Sequence, residues 1–399
     1  MSEVANIPQL RFSEFSGEWE EKKLGELCKF TQGVQIPFSE QLTKYKEGAI
    51  RYLYIRDFFT DDFPYYVKDQ YPNKVIHTDE IMMVNTGNTA GKAFMGATGV
   101  LSNNAFKVSF DKTKVSNIFL FQRITSDTIQ RRIKSFFNAG GQPHLGHKNI
   151  AIIPMGFASL KEQQKIAAFL TTVDSKIEQL SKKQELLKEY KKGLMQQIFS
   201  QATRFKADDG CDFPDWEEKK LGDLIAEISD GGTPPTSNKG NFGGGINWVV
   251  IDDIRDEIRI TKETLTETGL SNSSSKLWKP ETIILSTGAT IGRVGIAKIY
   301  TTTKQGVCGI VVNQFTSNLF LKYWFIFNIN LLKRFSQGSS IKEVRPPTLI
   351  KFDISTPSLP EQTKIANFLS SIDSKIEQVG KQLDESKQFK KALLQQMFV

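Results

Sequence analysis

The sequence predicts an α/β protein built as a tandem pseudo-twofold repeat of two globular domains, each followed by a long helix, the two helices pairing as an antiparallel coiled coil. Three observations predict this class. Matching segments recur in the same order about 200 residues apart. Each half begins with short strand-like and helix-like segments. Each half then ends in roughly 40 residues with an apolar residue every 3.5 positions on average.

Five pairs of segments carry the repeat. They are WEEKKLGEL (19–27) and WEEKKLGDL (216–224), VNTGNTAGK (84–92) and LSTGATIGR (285–293), SNIFL (116–120) and SNLFL (317–321), EQQKIAAFLTTVDSKIEQ (162–179) and EQTKIANFLSSIDSKIEQ (361–378), and YKKGLMQQIF (190–199) and FKKALLQQMF (389–398). The order is kept, so one module is duplicated. The predicted organisation is a first domain over 1–158, a helix over 159–200, a second domain over 201–357 and a helix over 358–399.

The first part of each module is predicted to mix strands with one helix. β-Branched and aromatic runs bounded by Gly, Asn and Asp predict the strands. In the first half these are 49–58, 80–87 and 105–110, and in the second half 246–254, 282–288 and 308–314. A serine cap followed by apolar residues predicts one helix over 116–136 and its counterpart over 317–335. Trp19 and Trp216 are expected to anchor the cores.

The long helices are predicted to meet along their apolar stripes. The expected interface residues are Ile166, Leu170, Val173, Ile177, Leu180, Leu187, Leu194, Ile365, Leu369, Ile372, Ile376, Val379, Leu383 and Met397. An ordinary amphipathic helix packed on its own domain is the alternative. A helix of about 40 residues extends roughly 60 Å, more than one small domain covers, which favours helix pairing. The short linker after the first helix favours the antiparallel direction.

Composition limits the function. The net charge of +8 favours an acidic partner, of which nucleic acid is the commonest. Three scattered cysteines and three histidines give neither a disulfide framework nor a zinc site. The start of the chain lacks a signal peptide, and no apolar run reaches membrane-spanning length, so a cytoplasmic protein is expected.

Two apparent catalytic motifs fail on spacing. In TGNTAGKA (86–93), three residues rather than four separate Gly87 from Gly91, and Ala93 follows Lys92, so a strand–turn–strand is predicted in place of a phosphate-binding loop. In PDWEEK (214–219) the acidic residues are adjacent, whereas a metal-dependent nuclease needs carboxylates from separated positions. No other catalytic arrangement is recognisable.

The halves differ where loops are expected. Residues 33–80 bear little likeness to 231–281, and GGQPHLGHKN (140–149) aligns with SSIKEVRPPT (339–348). Similar scaffolds with dissimilar loops indicate similar tasks on different targets. For a basic protein with a stiff helical spacer, two short sites on one DNA duplex fit this pattern.

Taken together, the paired LxEQxKIAxFLxxxDxKIEQ segments, the KKxLxQQxF helix ends and the repeated W-E-x-x-x-L-G-x-L entries resemble the specificity subunit of a type I restriction–modification system. The resemblance covers essentially the whole chain. It implies two target-recognition domains that read the halves of a split, asymmetric site in double-stranded DNA, with the helices as a ruler for the gap. It also implies two adenine-methylating modification subunits docked at the helices and further restriction subunits for translocation and cleavage. AdoMet, ATP and Mg are then expected on those partners, and this chain is expected to bind no cofactor and to be non-catalytic.

Within that resemblance, side-chain type and position select candidate DNA-binding residues. They are Lys92, Asn103, Asn104, Gln142 and His144 in the first half, and Arg293, Ser339, Ser340, Lys342 and Arg345 in the second. Amide side chains suit adenine, and cationic ones suit guanine or phosphate. A solvated loop residue or a phosphate contact is the alternative for each. For the chain as a whole, the alternatives are a non-catalytic coiled-coil scaffold with two protein-binding heads and a stand-alone enzyme.

Overall fold

The computed structural model describes residues 6–137, 141–335 and 343–398. These residues divide into unit 1, residues 1–182 with 380–399, and unit 2, residues 183–379. Each unit therefore holds a mixed α/β part, the end of one long helix and the start of the other. The predicted α/β class, with a tandem repeat and a long helix after each domain, is confirmed.

Unit 1 begins with three small sheets and their flanking short helices. In chain order its elements are β1 (Glu20–Lys23), α1 (Leu24–Leu27), β2 (Cys28–Gln32), β3 (Ala49–Leu53), β4 (Tyr65–Lys68), β5 (Val75–Ile76), β6 (Ile81–Val84), β7 (Ala93–Phe94), β8 (Gly99–Leu101), β9 (Ala105–Phe110), α2 (Asn117–Thr125), α3 (Asp127–Lys134), α4 (His147–Ala151), β10 (Pro154–Phe157) and the long helix α5 (Leu160–Phe199). The strands pair in the orders β1–β10, β2–β9–β6–β7 and β4–β3–β8–β5.

Unit 2 repeats this plan. Its elements are β11 (Glu217–Lys220), β12 (Ile225–Asp230), β13 (Phe242–Val249), β14 (Glu257–Ile258), β15 (Glu263–Leu265), α6 (Glu267–Ser271), β16 (Ile283–Ser286), β17 (Val294–Ala297), β18 (Thr301–Thr303), β19 (Val307–Val312), α7 (Asn318–Phe327), α8 (Ile329–Arg334), α9 (Pro346–Leu349), β20 (Asp353–Thr356) and the long helix α10 (Leu359–Gln396). The strands pair in the orders β11–β20, β12–β19–β16–β17–β14 and β15–β13–β18. Short 3₁₀ turns lie at 38–40, 55–58 and 72–74 in unit 1 and at 221–224, 239–241 and 251–253 in unit 2.

Each single short helix that the sequence predicts is two helices in the structure. In unit 1 the break falls at Ser126, whose backbone is extended (φ −63°, ψ 148°) and whose hydroxyl donates to the carbonyl of Arg123 at 2.7 Å. In unit 2 it falls at Asn328, whose amide donates to the carbonyl of Trp324 at 3.1 Å. These side chains compete with the helical hydrogen-bond ladder, which a count of apolar periodicity does not register.

Two predicted strands are also shorter than expected. The strand over 49–58 stops at Leu53, because the carboxylate of Asp57 accepts from the backbone N–H of Tyr54 at 2.7 Å and closes a 3₁₀ turn. The strand over 246–254 stops at Val249 in the same way, where Asp253 accepts from Val250 at 3.1 Å. A side-chain oxygen that caps a backbone donor ends a strand as effectively as it starts a helix.

The long helices complete the core of each unit from opposite ends. In unit 1 the start of α5 shares one apolar cluster with the end of α10, through Ile166 and Leu170 on one side and Leu393 and Met397 on the other. In unit 2 the end of α5, with Met195 and Ile198, shares a cluster with the start of α10, with Ile365, Ala366 and Leu369. Within each unit the two helix segments therefore run antiparallel.

The predicted interface residues all lie on inward-facing positions of these helices. Seven residues were predicted for each helix, and each is buried or half-buried, Met397 lying directly after the end of α10: Ile166, Leu170, Val173, Ile177, Leu180, Leu187, Leu194, Ile365, Leu369, Ile372, Ile376, Val379, Leu383 and Met397. Met195 and Ile198 are more deeply buried than the neighbouring Leu194, which the spacing selected in their place. The final turn of α5 faces the aromatic side chains of α7, so its buried face is wider than a narrow seam.

A buried carboxylate fastens the entry segment of each unit to its long helix. In unit 1 Glu162 is 1% exposed and accepts two hydrogen bonds from the Arg11 guanidinium, at 2.7 and 2.8 Å, and one from the Trp19 indole at 3.3 Å. In unit 2 Glu361 accepts from Arg204 at 3.0 and 2.9 Å. Trp19 is buried, and Trp216 is half-buried at the matching position. Two-pronged charged hydrogen bonds of this kind fix orientation as well as contribute energy.

We predict that Glu162→Gln lowers the free energy of unfolding by about 2 kcal/mol, because a neutral amide replaces a buried carboxylate and leaves the Arg11 charge without its counter-ion. Urea unfolding followed by circular dichroism measures the change. The matched control is Glu178→Gln on the exposed face of the same helix, which should leave stability within a few tenths of a kcal/mol. Equal effects of the two substitutions would contradict the assigned role of Glu162.

Candidate DNA interface

The TGNTAGK segment (86–92) forms a turn between two antiparallel strands in unit 1. β6 pairs with β7, and the chain reverses through residues 85–92. Gly87 and Gly91 adopt left-handed backbone conformations, with φ of +88° and +83°. At Gly91 a Cβ atom would lie 2.5 Å from the Cγ2 of Ile133, so glycine is required for both conformation and space. The segment is thus a strand–turn–strand, in agreement with the sequence.

Two other loops of unit 1 are joined to this turn by backbone hydrogen bonds. The N–H of Asn85 donates to the carbonyl of Asn104 at 3.0 Å, which fastens the loop between β8 and β9. The N–H of Leu145 donates to the carbonyl of Asn85 at 2.7 Å, and the N–H of Gly87 donates to that of Pro143 at 2.9 Å. Three segments that are distant in sequence therefore form one edge of the unit, which we call reading edge 1 (85–92, 102–104 and 141–146).

All five candidate residues of the first half lie on reading edge 1 and are exposed. They are Lys92, Asn103, Asn104, Gln142 and His144. The Nδ1 atom of His144 lies 3.1 Å from the hydroxyl oxygen of Thr86, and the Lys92 ammonium lies 6.0 Å from the ring centre of the exposed Phe59. The Asn103 amide donates to the side-chain oxygen of Gln35 at 3.4 Å. All five residues are exposed, so their polar groups can also hydrogen-bond an external partner.

A shallow cavity adjoins the same edge. It has a volume of about 380 Å³ and is lined by Phe38, Tyr54, Ile55, Arg56, Tyr65, Ser102 and Asn104. The Arg56 guanidinium lies over the rings of Tyr54 and Tyr65, at 5.3 and 5.1 Å. The buried hydroxyl of Ser102 has no hydrogen-bond partner in the described part of the chain. Of this group the sequence singled out Asn104 alone, because Phe38, Tyr54, Ile55, Arg56 and Tyr65 come from residues 33–80, which bear little likeness to the other half.

Unit 2 builds the equivalent edge from the turn between β16 and β17. The N–H of Thr287 donates to the carbonyl of Gly306, and the N–H of Val344 donates to that of Thr287, both at 2.9 Å. Gly292 has φ +95°, and a Cβ there would lie 2.5 Å from the Cγ1 of Ile329, the same constraint as at Gly91. We call this surface reading edge 2 (287–293, 304–306 and 343–345).

Two candidate residues of the second half lie on reading edge 2, and both are exposed. Arg293 donates to the Asp252 carboxylate at 2.9 Å and to the carbonyl of Ile251 at 3.0 Å. Arg345 donates to the Glu343 carboxylate at 3.2 Å. Ion pairs at such exposed positions contribute little stability, because water competes for both partners. An external anion could therefore compete for either guanidinium group. Ser339, Ser340 and Lys342 lie outside the described residues.

Two carboxylates, Glu343 on reading edge 2 and Asp230 beside it, were not selected from the sequence. Asp230 ends β12 and accepts from the hydroxyl of Thr287 at 3.4 Å. Burial, and then the nearby charge of Glu343, raise the pKa of Asp230. The strand register brings Glu343 opposite Gly288, just as it brings His144 opposite Thr86 in unit 1. The sequence did contain a signal for Glu343, because it aligns with the candidate His144. The strand pairing shows that both residues lie opposite the turn of their own unit.

The two edges therefore share a backbone frame and differ in side-chain chemistry. Reading edge 1 offers amides, an imidazole and an ammonium group, whereas reading edge 2 combines guanidinium groups with carboxylates. In nucleic-acid recognition, the amides of reading edge 1 suit adenine and its ammonium group suits guanine. The guanidinium groups of reading edge 2 suit guanine, and its carboxylates suit cytosine. Among residues 6–137, 141–335 and 343–398, no cluster of His, Cys, Asp and Glu side chains could hold a metal ion. No helix of the described chain has the length and apolarity needed to cross a membrane.

Comparison with known families agrees with this duplicated architecture. The family described as "Type I restriction modification DNA specificity domain" matches twice, over residues 16–189 and 214–386. The MjaVIII type I restriction enzyme specificity subunit of Methanocaldococcus jannaschii is 26% identical over 400 aligned positions, covering 94% of this chain and 91% of that protein. The MjaIX specificity subunit of the same organism is 36% identical over 191 positions, covering 46% of this chain and 44% of that protein.

Solved structures show the same fold at low sequence identity. The type I restriction–modification S subunit from M. genitalium superposes with a TM-score of 0.64 at 14% identity, over 98% of this chain and 99% of that one. A chain from a structural study of complex assembly in a type I restriction–modification system gives a TM-score of 0.57 at 17% identity, over 94% and 96%. Since two copies of the family's domain account for most of its length, the chain belongs to the type I restriction–modification DNA specificity subunit family.

Proposed function

We propose that each unit reads one half of a bipartite, asymmetric DNA site and that the paired long helices set the gap between the halves. The observation that carries the proposal is the shared frame of the two reading edges. In both, a turn is fastened to a distant loop by backbone hydrogen bonds, so the side chains are free to differ without loss of the fold. Such a frame suits a protein that applies one docking geometry to two different sequences.

The side chains on the edges support recognition of bases in addition to phosphates. A surface that bound only phosphate would carry mainly cations and few acceptors, because most of its affinity comes from counter-ion release, although amides and hydroxyls can also donate to phosphate. Reading edge 1 instead exposes Asn103, Asn104 and Gln142, whose amides can both donate to and accept from a base edge. Reading edge 2 carries Glu343, with Asp230 beside it, and these carboxylates would repel phosphate but can accept from the amino group of cytosine.

We further propose that the long helices dock two adenine-methylating modification subunits. Tyr190 and Phe389 occupy matching positions in the repeat and are 56% and 53% exposed. Each is followed by two lysines, and one such aromatic lies in each unit. A large exposed aromatic repeated in this way suits a pair of equivalent partners, since aromatic side chains commonly anchor protein interfaces. The assembly described for a structural neighbour supports partners of this kind.

The chain itself is proposed to carry out no chemistry. Methylation with AdoMet would belong to the modification subunits, and ATP- and Mg-dependent translocation and cleavage to restriction subunits. The proposal is supported by the sequence relationship to specificity subunits. Turnover by the purified chain alone, with DNA and AdoMet, would contradict it.

Mapping of N6-methyladenine in the host genome tests the recognition role. We expect a two-part methylated motif to disappear when the gene is deleted and to return with the intact gene. A gene carrying Gln142→Ala and His144→Ala should alter one half of the motif and leave the other unchanged, because both residues lie on reading edge 1. Gln70→Ala, an exposed residue of unit 1 that lies outside reading edge 1, is the matched control. An unchanged methylation pattern after gene deletion would refute the function.

The salt dependence of DNA binding separates this function from a protein-binding scaffold. A DNA-reading subunit should lose affinity steeply as salt rises, because bound cations on DNA are released on binding. A scaffold with protein-binding heads should bind DNA weakly and with little dependence on salt. Titration of a labelled duplex carrying the mapped motif, at several salt concentrations, distinguishes the two.

Removal of one heptad from each long helix should shorten the gap and preserve both half-sites. Asp174 pairs with Lys390 in unit 1, and Lys191 pairs with Asp373 in unit 2. In that register residues 181–187 correspond to 377–383, so deletion of both segments keeps the ion pairs intact. Seven residues of helix are about 10 Å, which corresponds to about three base pairs. Methylation mapping reads the gap, and a changed half-site with an unchanged gap would exclude the helices as the spacer.

We predict that the ionised Asp230 side chain lowers the free energy of unfolding, and that it is retained for its role in recognition. Its pKa lies above the ordinary value of 3.8, so the folded state keeps the proton longer than the unfolded state does. Stability is therefore lost as pH rises through this window, and Asp230→Asn should raise the free energy of unfolding at neutral pH. The gain should vanish in acid, where both states hold the proton.

Urea unfolding monitored by tryptophan fluorescence measures this, since unit 2 holds every tryptophan except Trp19. Asp69→Asn at an exposed position of unit 1 is the control and should show no gain. A loss of stability in Asp230→Asn at neutral pH would mean that the carboxylate is a structural partner of Thr287. In that case Asp230 would not belong to the recognition surface.

A further inference from the structure

One cross-helix ion pair occurs in each unit at matching positions of the repeat. In unit 1 the Lys390 ammonium lies 2.6 Å from the Asp174 carboxylate, and in unit 2 the Lys191 ammonium lies 2.6 Å from that of Asp373. The aspartates share the context DSKIEQ, and each lysine is the first of the pair that follows the exposed aromatic. The same polar contact has therefore been kept twice within otherwise apolar helix contacts.

A buried side chain of the α/β part joins each ion pair. In unit 1 the amide of Gln122, 3% exposed, donates to the second carboxylate oxygen of Asp174 at 2.7 Å. In unit 2 the hydroxyl of Tyr323, fully buried, donates to that of Asp373 at 2.7 Å. Gln122 and Tyr323 occupy matching positions on α2 and α7. We name these groups helix tie 1 (Gln122, Asp174 and Lys390) and helix tie 2 (Tyr323, Asp373 and Lys191).

The ties are less exposed to water than ordinary surface pairs, helix tie 2 more so than helix tie 1, in which the side chains of Lys390 and Asp174 are 24% and 38% exposed. The side chains of Lys191 and Asp373 are 15% and 23% exposed, and the Lys191 ammonium also lies 4.8 Å from the ring centre of Tyr323. The exposed pair Lys381 and Glu385 on α10, at 79% and 62%, provides the contrast. Separating a shielded pair leaves an unsatisfied charge, so the contact discriminates strongly between arrangements that keep it and arrangements that break it.

The order of charges along the helices selects the antiparallel direction. Each helix carries its aspartate toward the N-terminus and its lysine toward the C-terminus. Opposite charges meet when the helices run antiparallel. If the repeats were aligned in parallel, Asp174 would face Asp373 and Lys191 would face Lys390, and like charges at close range destabilise a helix pair.

The ties also select the axial register. A slip by one heptad would place Asp174 opposite Leu383 or Met397, so a carboxylate would face an apolar side chain. It would place Lys191 opposite Ala366 or Gly380, which offer no acceptor on their side chains. The apolar stripe alone tolerates such a slip, because a seam with a seven-residue period presents similar residues again.

We propose that helix ties 1 and 2 are positioning residues that specify the direction and the axial register of the helix pair, with Gln122 and Tyr323 relating that register to the α/β part of each unit. Stability of the pair comes mainly from the apolar stripe, whereas its uniqueness comes from the ties. The role of the ties in the helix pair does not depend on the proposed function. Only the expected effect on the gap between half-sites rests on it.

Disulfide trapping in the full-length chain reads the register directly. In a background with the exposed Cys211 replaced by serine, Ile177→Cys is combined with Lys387→Cys to report the native register in unit 1, since both positions line one cavity. Ile177→Cys with Gly380→Cys reports a slip of one heptad. Without further change we expect the native pair to be trapped at least about tenfold more than the slipped pair after refolding in a redox buffer.

Removal of the charges should lift this preference. The substitutions Asp174→Asn, Lys390→Met, Lys191→Met and Asp373→Asn, made together, are expected to raise trapping of the slipped pair about tenfold. Charge exchange within each tie (Asp174→Lys with Lys390→Asp, and Lys191→Asp with Asp373→Lys) should restore the native preference, since an amide or hydroxyl can serve either sign. Lys381→Met with Glu385→Gln removes one exposed pair from α10 and should leave the trapping ratio unchanged.

Native-only trapping in the uncharged chain would overturn the proposal and assign the register to apolar packing. If the uncharged chain does not fold, the charge-exchanged chain decides: native trapping supports the proposal, and slipped trapping or failure to fold overturns it. DNA takes no part in this measurement, so its outcome is independent of the proposed recognition function. Where that function holds, methylation mapping of the uncharged variant should show unchanged half-sites separated by more than one gap length.

Discussion

The constraint on which the structure depends is that each long helix must bury an apolar stripe that its own domain cannot cover. In each unit the stripe is covered by the far end of the other long helix, which the chain delivers from the other repeat. The core of unit 1 thus includes Leu393 from the last turns of α10, and Met397 and Phe398 directly after its end. Phe398 packs against Trp19 and Phe119, the anchor residues of that core, at ring separations of 6.3 and 5.4 Å. Neither repeat has a complete core without residues of its sister.

The sequence predicts those parts of this arrangement that rest on interactions repeated at regular spacing along the chain. The duplicated order and the 3.5-residue spacing were enough to predict the fold class, because a coiled-coil seam places an apolar residue at nearly every helical turn. The breaks at Ser126 and Asn328 were missed because one side-chain hydrogen bond decides each of them. Met195 and Ile198 were missed because their burial comes from the aromatic side chains of α7, a contact that spacing along a single helix does not reveal.

The candidate site was predictable in location and less so in content. Divergence between the repeats pointed to the turns and loops that form the reading edges, and His144 and Asn104 do lie on one of them. The carboxylates Asp230 and Glu343 were overlooked because selection by residue type favoured amides and cations. Their relation to the turn comes from strand register and from a hydrogen bond through Thr287, which are tertiary facts. A cavity lined by Arg56 and Ser102 likewise joins segments more than forty residues apart.

The contacts that support the fold and the side chains offered for recognition lie on different parts of each unit. This separation explains why two similar frames can carry such different loops. Backbone hydrogen bonds hold the reading edges, so apart from the glycines required at Gly91 and Gly292 their geometry depends little on which side chains are present. Buried carboxylates at Glu162 and Glu361 hold each entry segment to its helix, and the Asp–Lys contacts hold helix to helix. All of these matched contacts lie away from the reading edges. A substitution on an edge therefore leaves the supporting contacts intact, which allows the two units to diverge in what they contact while the scaffold between them is retained.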